Sequence, residues 1–139
     1  MRTDDRGSAT IWMLGLSVLL LAFGGLALDL WRGLALQRQL AAVADSAAVA
    51  AASGIDEEHY RSTGEVLLAP ARSRALALAS IDFQDVEVHD AVIVVAPDGS
   101  DVAVQVGGRL ELGLLGLLVD ETEPLIVSAS ATAVPRLEG

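Results

Sequence analysis

Between Gly7 and Leu28 the chain carries no charged side chain: GSATIWMLGLSVLLLAFGGLAL. Nothing else in its 139 residues restricts the possible folds so sharply. About 20 apolar residues at ~1.5 Å rise cross ~30 Å of hydrocarbon, and this run is 22 long. Trp12 and Trp31 bracket it, separated by roughly 28 Å of helix. Indole rings favour the two membrane–water interfaces, so both tryptophans read as interface anchors. The helical pattern continues past the apolar run. Leu36, Leu40, Val43, Ala47 and Ala51 form an apolar stripe at three-to-four spacing, with Gln37, Arg38, Asp45 and Ser46 off it. Ser53-Gly54 supplies a stop. The expectation is one long helix with a dry half and a wet half. It comprises a cytoplasmic tail over 1–7, a transmembrane helix over 8–30, and an extracytoplasmic continuation over 31–54.

Two other uses of such a run fit less well. A cleaved secretion signal has a basic start and an apolar region of 7–15 residues. Here Arg2 and Arg6 are offset by Asp4 and Asp5, and the run is longer. Ala22, Gly24, Gly25 and Ala27 are small enough for cleavage, yet a retained span is the preferred reading. A soluble buried helix ranks last. Two arginines flank each side, so charge specifies orientation weakly. The acidic C-terminal part is expected outside, with a short N-terminus in the cytoplasm. Gly25, Asp29 and Gly33 recur every four residues and share one helix face at the outer boundary. Small residues at that spacing admit a partner helix. The alternative is interfacial solvation of Asp29, with Arg32 three positions on.

Charge is unevenly placed. Residues 1–55 hold four acids and four arginines, so the net charge of −10 falls entirely within 56–139, where 15 acids face five arginines. Such a module is a poor ligand for nucleic acid or anionic lipid. Cysteine is absent, which removes disulfides, thiol nucleophiles and thiolate metal sites.

Arg6-Gly7-Ser8-Ala9-Thr10, the apolar run, Gly25-Leu26-Ala27-Leu28-Asp29, Arg32, Leu40 and Ala44-Asp45-Ser46-Ala47-Ala48-Val49-Ala50-Ala51-Ala52 together resemble the TadE/TadG-like proteins of tight-adherence (Flp) pilus systems, in particular actinobacterial members. The likeness covers the first 52 residues, with a fainter echo in Val127–Ala133. It implies a bacterial cell-envelope protein, anchored at its N-terminus, that serves pilus assembly or a related secretion apparatus without catalysis. Pseudopilins cut by a prepilin peptidase carry Glu five residues after the cleavage-site Gly. Here Gly7 is followed at that distance by Trp12, so an uncleaved TadG-like role fits better than a pilin subunit. The helix-packing and interface candidates are Gly25, Asp29, Arg32, Gly33, Leu40, Asp45 and Ala48.

Beyond the helix the reading is α+β and pilin-like: a small antiparallel sheet of about three strands, with one or two short helices, packed on the wet half. Gly54–Gly64 reads as a loop. Its Asp56, Glu57, Glu58 and His59 are adjacent rather than spaced as metal ligands are. A helix is predicted over Pro70–Ser80, with Pro70 at the tolerated first position. Ala71, Ala75, Leu76 and Ala79 form its buried face, with Arg72 and Arg74 outside. A hairpin follows from Val86 onward. Ala96-Pro97-Asp98-Gly99 suits a type I turn closed by a left-handed glycine in a three-residue loop. That loop sets Val94 against Val102, Val92 against Val104, and Val86 against Leu110, with Glu87 facing Arg109 as an ion pair. It also places Asp90 on the apolar face opposite Val106, an awkward position. Gly107-Gly108 reads as a bend. Gly113–Val119 is an apolar run too short to span a membrane, and Asp120–Glu123 an acidic loop. In the last strand, Leu125, Val127, Ala129, Ala131 and Ala133 face inward and Ser128, Ser130 and Thr132 outward. The small alanines are expected to pack on the Ala-rich helix of 41–52.

No catalytic arrangement emerges. His59 and His89 lack a placed nucleophile, GxSxG is absent, and no phosphate loop with its Lys occurs. No catalytic, cofactor-binding or metal residues are assigned. The reading is a non-enzymatic, single-pass accessory protein whose partners are the lipid bilayer, other inner-membrane components of a pilus or secretion machine, and pseudopilins or a second copy, with no nucleic acid. The alternative is a single-pass envelope protein with a ligand-binding or regulatory module.

Overall fold

A computed structural model describes residues 5–113, 116 and 123–136. Helix α1 (Asp5–Ala52) runs 48 residues without a break, about 72 Å at 1.5 Å per residue. Two short helices follow, α2 (Glu57–Thr63) and α3 (Pro70–Asp82), then strands β1 (Asp90–Val95), β2 (Val102–Leu110) and β3 (Leu125–Ala133). The strands form one antiparallel sheet in the order β1-β2-β3. The architecture is α+β, as the sequence predicts. The wet half of α1 lies across the inner face of β2 and β3, and α3 packs beside it against α1 and β1.

The core is narrow and built from small residues. Leu40, Val43, Ala44, Ala47, Ala48 and Ala51 of α1 meet Val102, Val104 and Val106 of the central strand, which are fully buried. Val127, Ala129, Ala131 and Ala133 of β3 pack against the same cluster, while Ser128, Ser130 and Thr132 are exposed. The two alanine rows therefore meet as expected, and alanine on both sides lets the helix backbone approach the sheet closely.

The hairpin differs from expectation by one residue. Asp90 pairs with Gly107, Ile93 with Val104 and Val95 with Val102, so Val92 and Val94 face solvent. Residue 93 supplies the inward side chain instead. The expected turn does form: Gly99 N donates to Ala96 O at 2.9 Å with Gly99 at φ 70°. However, Ser100 stays in the loop, its backbone N and its Oγ both donating to Asp98 Oδ1, at 3.2 and 2.7 Å. Ala96 N then reaches Asp101 O at 2.9 Å, which lengthens the loop to four residues. The energetic reason lies at the other end of the strand. The expected register buries the Asp90 carboxylate, at a cost of several kcal/mol. The exchange of Val92 and Val94 for Ile93 and Val95 is close to neutral by area, so the carboxylate decides.

Three other expectations are corrected. Residues 57–63 form a helix rather than a loop. Asp56 caps it by accepting from His59 N at 3.0 Å, and Gly64 closes it in the left-handed conformation at φ 77°. Helix α3 turns a different face inward: Ser73 and Ala77 are buried and Leu76 half-buried, whereas Ala71, Ala75 and Ala79 are exposed. Its close approach to the end of α1 sets that choice. A Cβ on Gly54 would stand 2.7 Å from Ser73 N, and Ser73 Oγ donates to Gly54 O at 3.3 Å. Finally, β1 begins at Asp90, so Val86 has no strand partner at Leu110, and Arg109 bonds His89 Nε2 at 2.8 Å. The ion pair expected with Glu87 is not among the salt bridges of the described residues. The apolar run Gly113–Val119 and the acidic loop Asp120–Glu123 fall almost wholly outside those residues.

Candidate functional site

The first half of α1 touches little of its own chain. Ile11, Trp12, Met13, Leu14, Leu21 and Phe23 are each 60–77% exposed, and Trp31 is 66% exposed. The helix is long and apolar enough to cross a membrane, and the most hydropathic window within Ser8–Ala52 is 0% buried. Within it Ser17 Oγ donates to Met13 O at 2.9 Å. Back-bonding of this kind is how hydroxyls are tolerated where water is absent.

A change occurs at Gly25. That glycine is buried, and so is Asp29 four residues on, with 3% of its side chain exposed. Asp29 Oδ1 accepts from Gly113 N at 3.2 Å and lies 3.7 Å from the Arg32 guanidinium, which is itself exposed. One turn higher, a Cβ on Gly33 would sit 3.3 Å from Leu110 Cδ2, and Leu40 packs where a Cβ on Gly108 would stand 3.1 Å away. Leu40 and Ala48 are buried in the core. The row Asp29, Gly33, Leu40 and Ala48 is thus turned toward the chain's own sheet. Trp12, Trp31 and Asp45 are exposed, and Arg32, also exposed, reaches back along the helix to Asp29. Sequence reasoning missed Gly108 and Gly113 as the residues that let β2 and the turn after it lie against α1. A glycine inside a strand signals close backbone approach as well as bending, so the clue was present.

The chemistry-bearing residues are dispersed. Glu57 bridges Arg61 at 2.8 Å and Arg72 at 3.0 Å. The Arg72 hydrogen bond, then the charges of Arg72 and Arg61, hold its carboxyl below the usual carboxylate range. Hydrogen bonds from Ser100 lower Asp98 in the same sense. Arg74 reaches Ile93 O at 3.5 Å. An open hollow lined by Leu36, Gln39, Asp85, Glu87, His89 and Arg109 lies between α1 and the approach to β1. No cluster of three metal-ligating side chains occurs among the described residues.

Residues 7–54 match the model of a family described as putative Flp pilus-assembly TadE/G-like. The chain carries a TadE/G-like segment. Its limits coincide with the structure, since the match ends two residues after α1 does. The TadE/G-like segment is therefore the long helix itself, dry half and sheathed half together. No curated protein and no solved structure matches the chain significantly.

Proposed function

We propose that this protein is a non-enzymatic, membrane-anchored accessory component of an Flp-type tight-adherence pilus or a related secretion apparatus. In this reading α1 spans a bacterial cell membrane once over residues 8–30, with 1–7 in the cytoplasm and Trp12 and Trp31 at the two interfaces. Residues 31–54 rise from the membrane and carry the acidic α+β head outside. The observation that carries the reading is the bare apolar half of a TadE/G-like helix, joined without interruption to a half that its own sheet covers. Burying that many large side chains in lipid is worth ~1.5–3 kcal/mol each, far more than a lone helix gains in water. Of the interface candidates, Arg32 and Asp45 of α1 are exposed and serve lateral contacts with other components of the machine.

Membrane fractionation with an alkaline wash tests the anchor, coupled to mass analysis of the mature N-terminus. The expected result is a washed membrane pellet holding a chain that begins at residue 1 or 2. A start at Ser8 would indicate prepilin-type processing, and a start beyond residue 22 with release to the medium would overturn the anchor. Affinity capture from detergent-solubilised membranes tests the assignment to a machine. It should recover inner-membrane pilus-assembly components, and a head that binds a small ligand equally well without its span would favour the alternative.

A further inference from the structure

The two edges of the sheet are treated differently. Edge β1 is screened by α3, which packs against it and sends Arg74 to the Ile93 carbonyl at 3.5 Å. Among the described residues edge β3 has no such cover, and beyond its ladder to β2 none of them hydrogen-bonds to Leu125–Ala133. Exposed edges are ordinarily blunted by charge, proline, a bulge or shortness. The nine residues LIVSASATA contain no charge, proline or glycine and pair without a bulge. Alongside this edge, at its far end, runs an open groove lined by Val49, Ala52, Ser53 and Ile55 on one side and Thr132, Ala133, Val134 and Arg136 on the other. Val49 is 68% exposed there.

We propose that the β3 edge accepts an extended segment of a different polypeptide, which adds as a fourth strand. Main-chain hydrogen bonds along the edge give affinity, and alternate side chains give selection. Inward residues of the incoming strand continue the core onto the Val49–Ala52 flank and must be small and apolar. Outward residues lie beside Ser128, Ser130 and Thr132 and are hydroxylic or uncharged. Acids outnumber arginines at both ends of the ladder, Glu111 and Glu123 against Arg109 near Leu125, and Asp98 and Asp101 against Arg136 near Ala133. Basic residues flanking an uncharged strand complement that pattern.

A second copy of the chain is the wrong occupant, for a geometric reason. Strand β3 runs in the same direction as α1: Leu125 pairs with Leu110, which touches Gly33, and Ala133 lies beside Ala52. Two β3 edges joined about a two-fold axis pair antiparallel, which sends their apolar helix ends in opposite directions. Two such spans cannot share one membrane. Joining β3 to the β1 edge of a neighbour keeps the spans parallel, but α3 and Arg74 stand in the way. This exclusion rests on the anchored reading above. That reading fails at fractionation, whereas strand addition fails in the peptide binding and trapping experiments below.

The probe is a fluorescent synthetic peptide of sequence LIVSASATA with two lysines at each end. It has no anchor, so antiparallel pairing centred on Ala129 is open to it, with Val127 opposite Ala131 and Ser128 opposite Ser130. Full-length protein in lipid nanodiscs is titrated with the parent peptide and with two versions N-methylated at alternate residues. Saturable binding of the parent is expected. One N-methylated version should match it and the other should bind at least about tenfold more weakly, because only one side of the strand faces the edge. The chain has no cysteine, so Ser130→Cys offers a unique thiol. It should trap a peptide bearing cysteine at the position of Ser128, and Val92→Cys on β1 should not. Absence of saturable binding overturns the proposal. So do equal binding of both N-methylated peptides, equal trapping at β1, and a dimer of the chain that occupies its own edge.

Discussion

The two halves of α1 share a backbone and differ in everything around it. Below Gly25 the large side chains, Leu, Ile, Met, Phe and Trp, are mostly bare. Above Gly33 the inward positions are mainly alanine and are covered by valines of the central strand. The half richer in hydrophobic bulk is the half with less protein around it. Side-chain size decides this division. Alanine rows permit a helix and a sheet to approach closely and bury both, whereas bulky residues on all sides present no single face to a partner. Such a helix is satisfied only by a medium that surrounds it.

Paired substitutions sharpen that contrast. Leu40→Ala opens a cavity at a fully buried site between α1 and Gly108. It should destabilise the head by about 2–5 kcal/mol, read as a lowered melting midpoint in nanodiscs. Leu20→Ala, 63% exposed in the other half, should leave that midpoint unchanged. An equal loss from both would break the comparison. Leu20→Arg should cost about 2.5–3.5 kcal/mol in membrane insertion, measured as the inserted fraction in a translocation assay, with the head's melting still unaltered. Gly54→Val pushes a side chain into the Ser73 backbone. A loss of about 1–3 kcal/mol is expected, with faster amide exchange where α1 meets α3. Asp56→Ala removes the cap of α2 and should cost roughly 0.5–2 kcal/mol, seen as fraying of residues 57–63 alone.

The smallest effect is electrostatic. Glu57 is ionised more readily in the folded chain than its ordinary value of 4.5. Its contribution is therefore fully present above that value and fades as pH falls through the lower folded value. The pair is exposed, so salt screens it. Glu57→Gln should erase this acid dependence while barely moving stability at neutral pH, as thermal melts across the acidic range would show.

The long helix, the inward face of β3 from Val127 on and the left-handed Gly99 were legible because each rests on a local pattern: an uncharged run, strict alternation, a Pro-Asp-Gly turn; Leu125, expected inward with them, is 51% exposed. The one-residue slip of the hairpin was not. It depends on Asp98 capturing Ser100 and on Asp90 escaping the core, two preferences at opposite ends of a strand that must be weighed together. The α3 face was misread because alanine is indifferent to burial. Ser73 is buried through a contact with Gly54, 19 residues earlier, which no periodicity reports. Helix α2 was legible and overlooked: Asp56, two acids in the first turn and Gly64 are ordinary terminal signals. For the candidate site, the row of Gly25, Asp29 and Gly33 at four-residue spacing was visible as a face. Its use by Leu110 and Gly113 was invisible, because those residues lie some 80 positions away.

The sheet is held to α1 at two heights, by Asp29 and Gly33 near its foot and by Ala48 and Ala51 near its crown. Two points of attachment on one unbroken helix leave no swivel. A quarter-turn or a short axial stroke imposed on the apolar end is therefore carried to the sheet at both heights, so that movement of that end re-aims the strand edge.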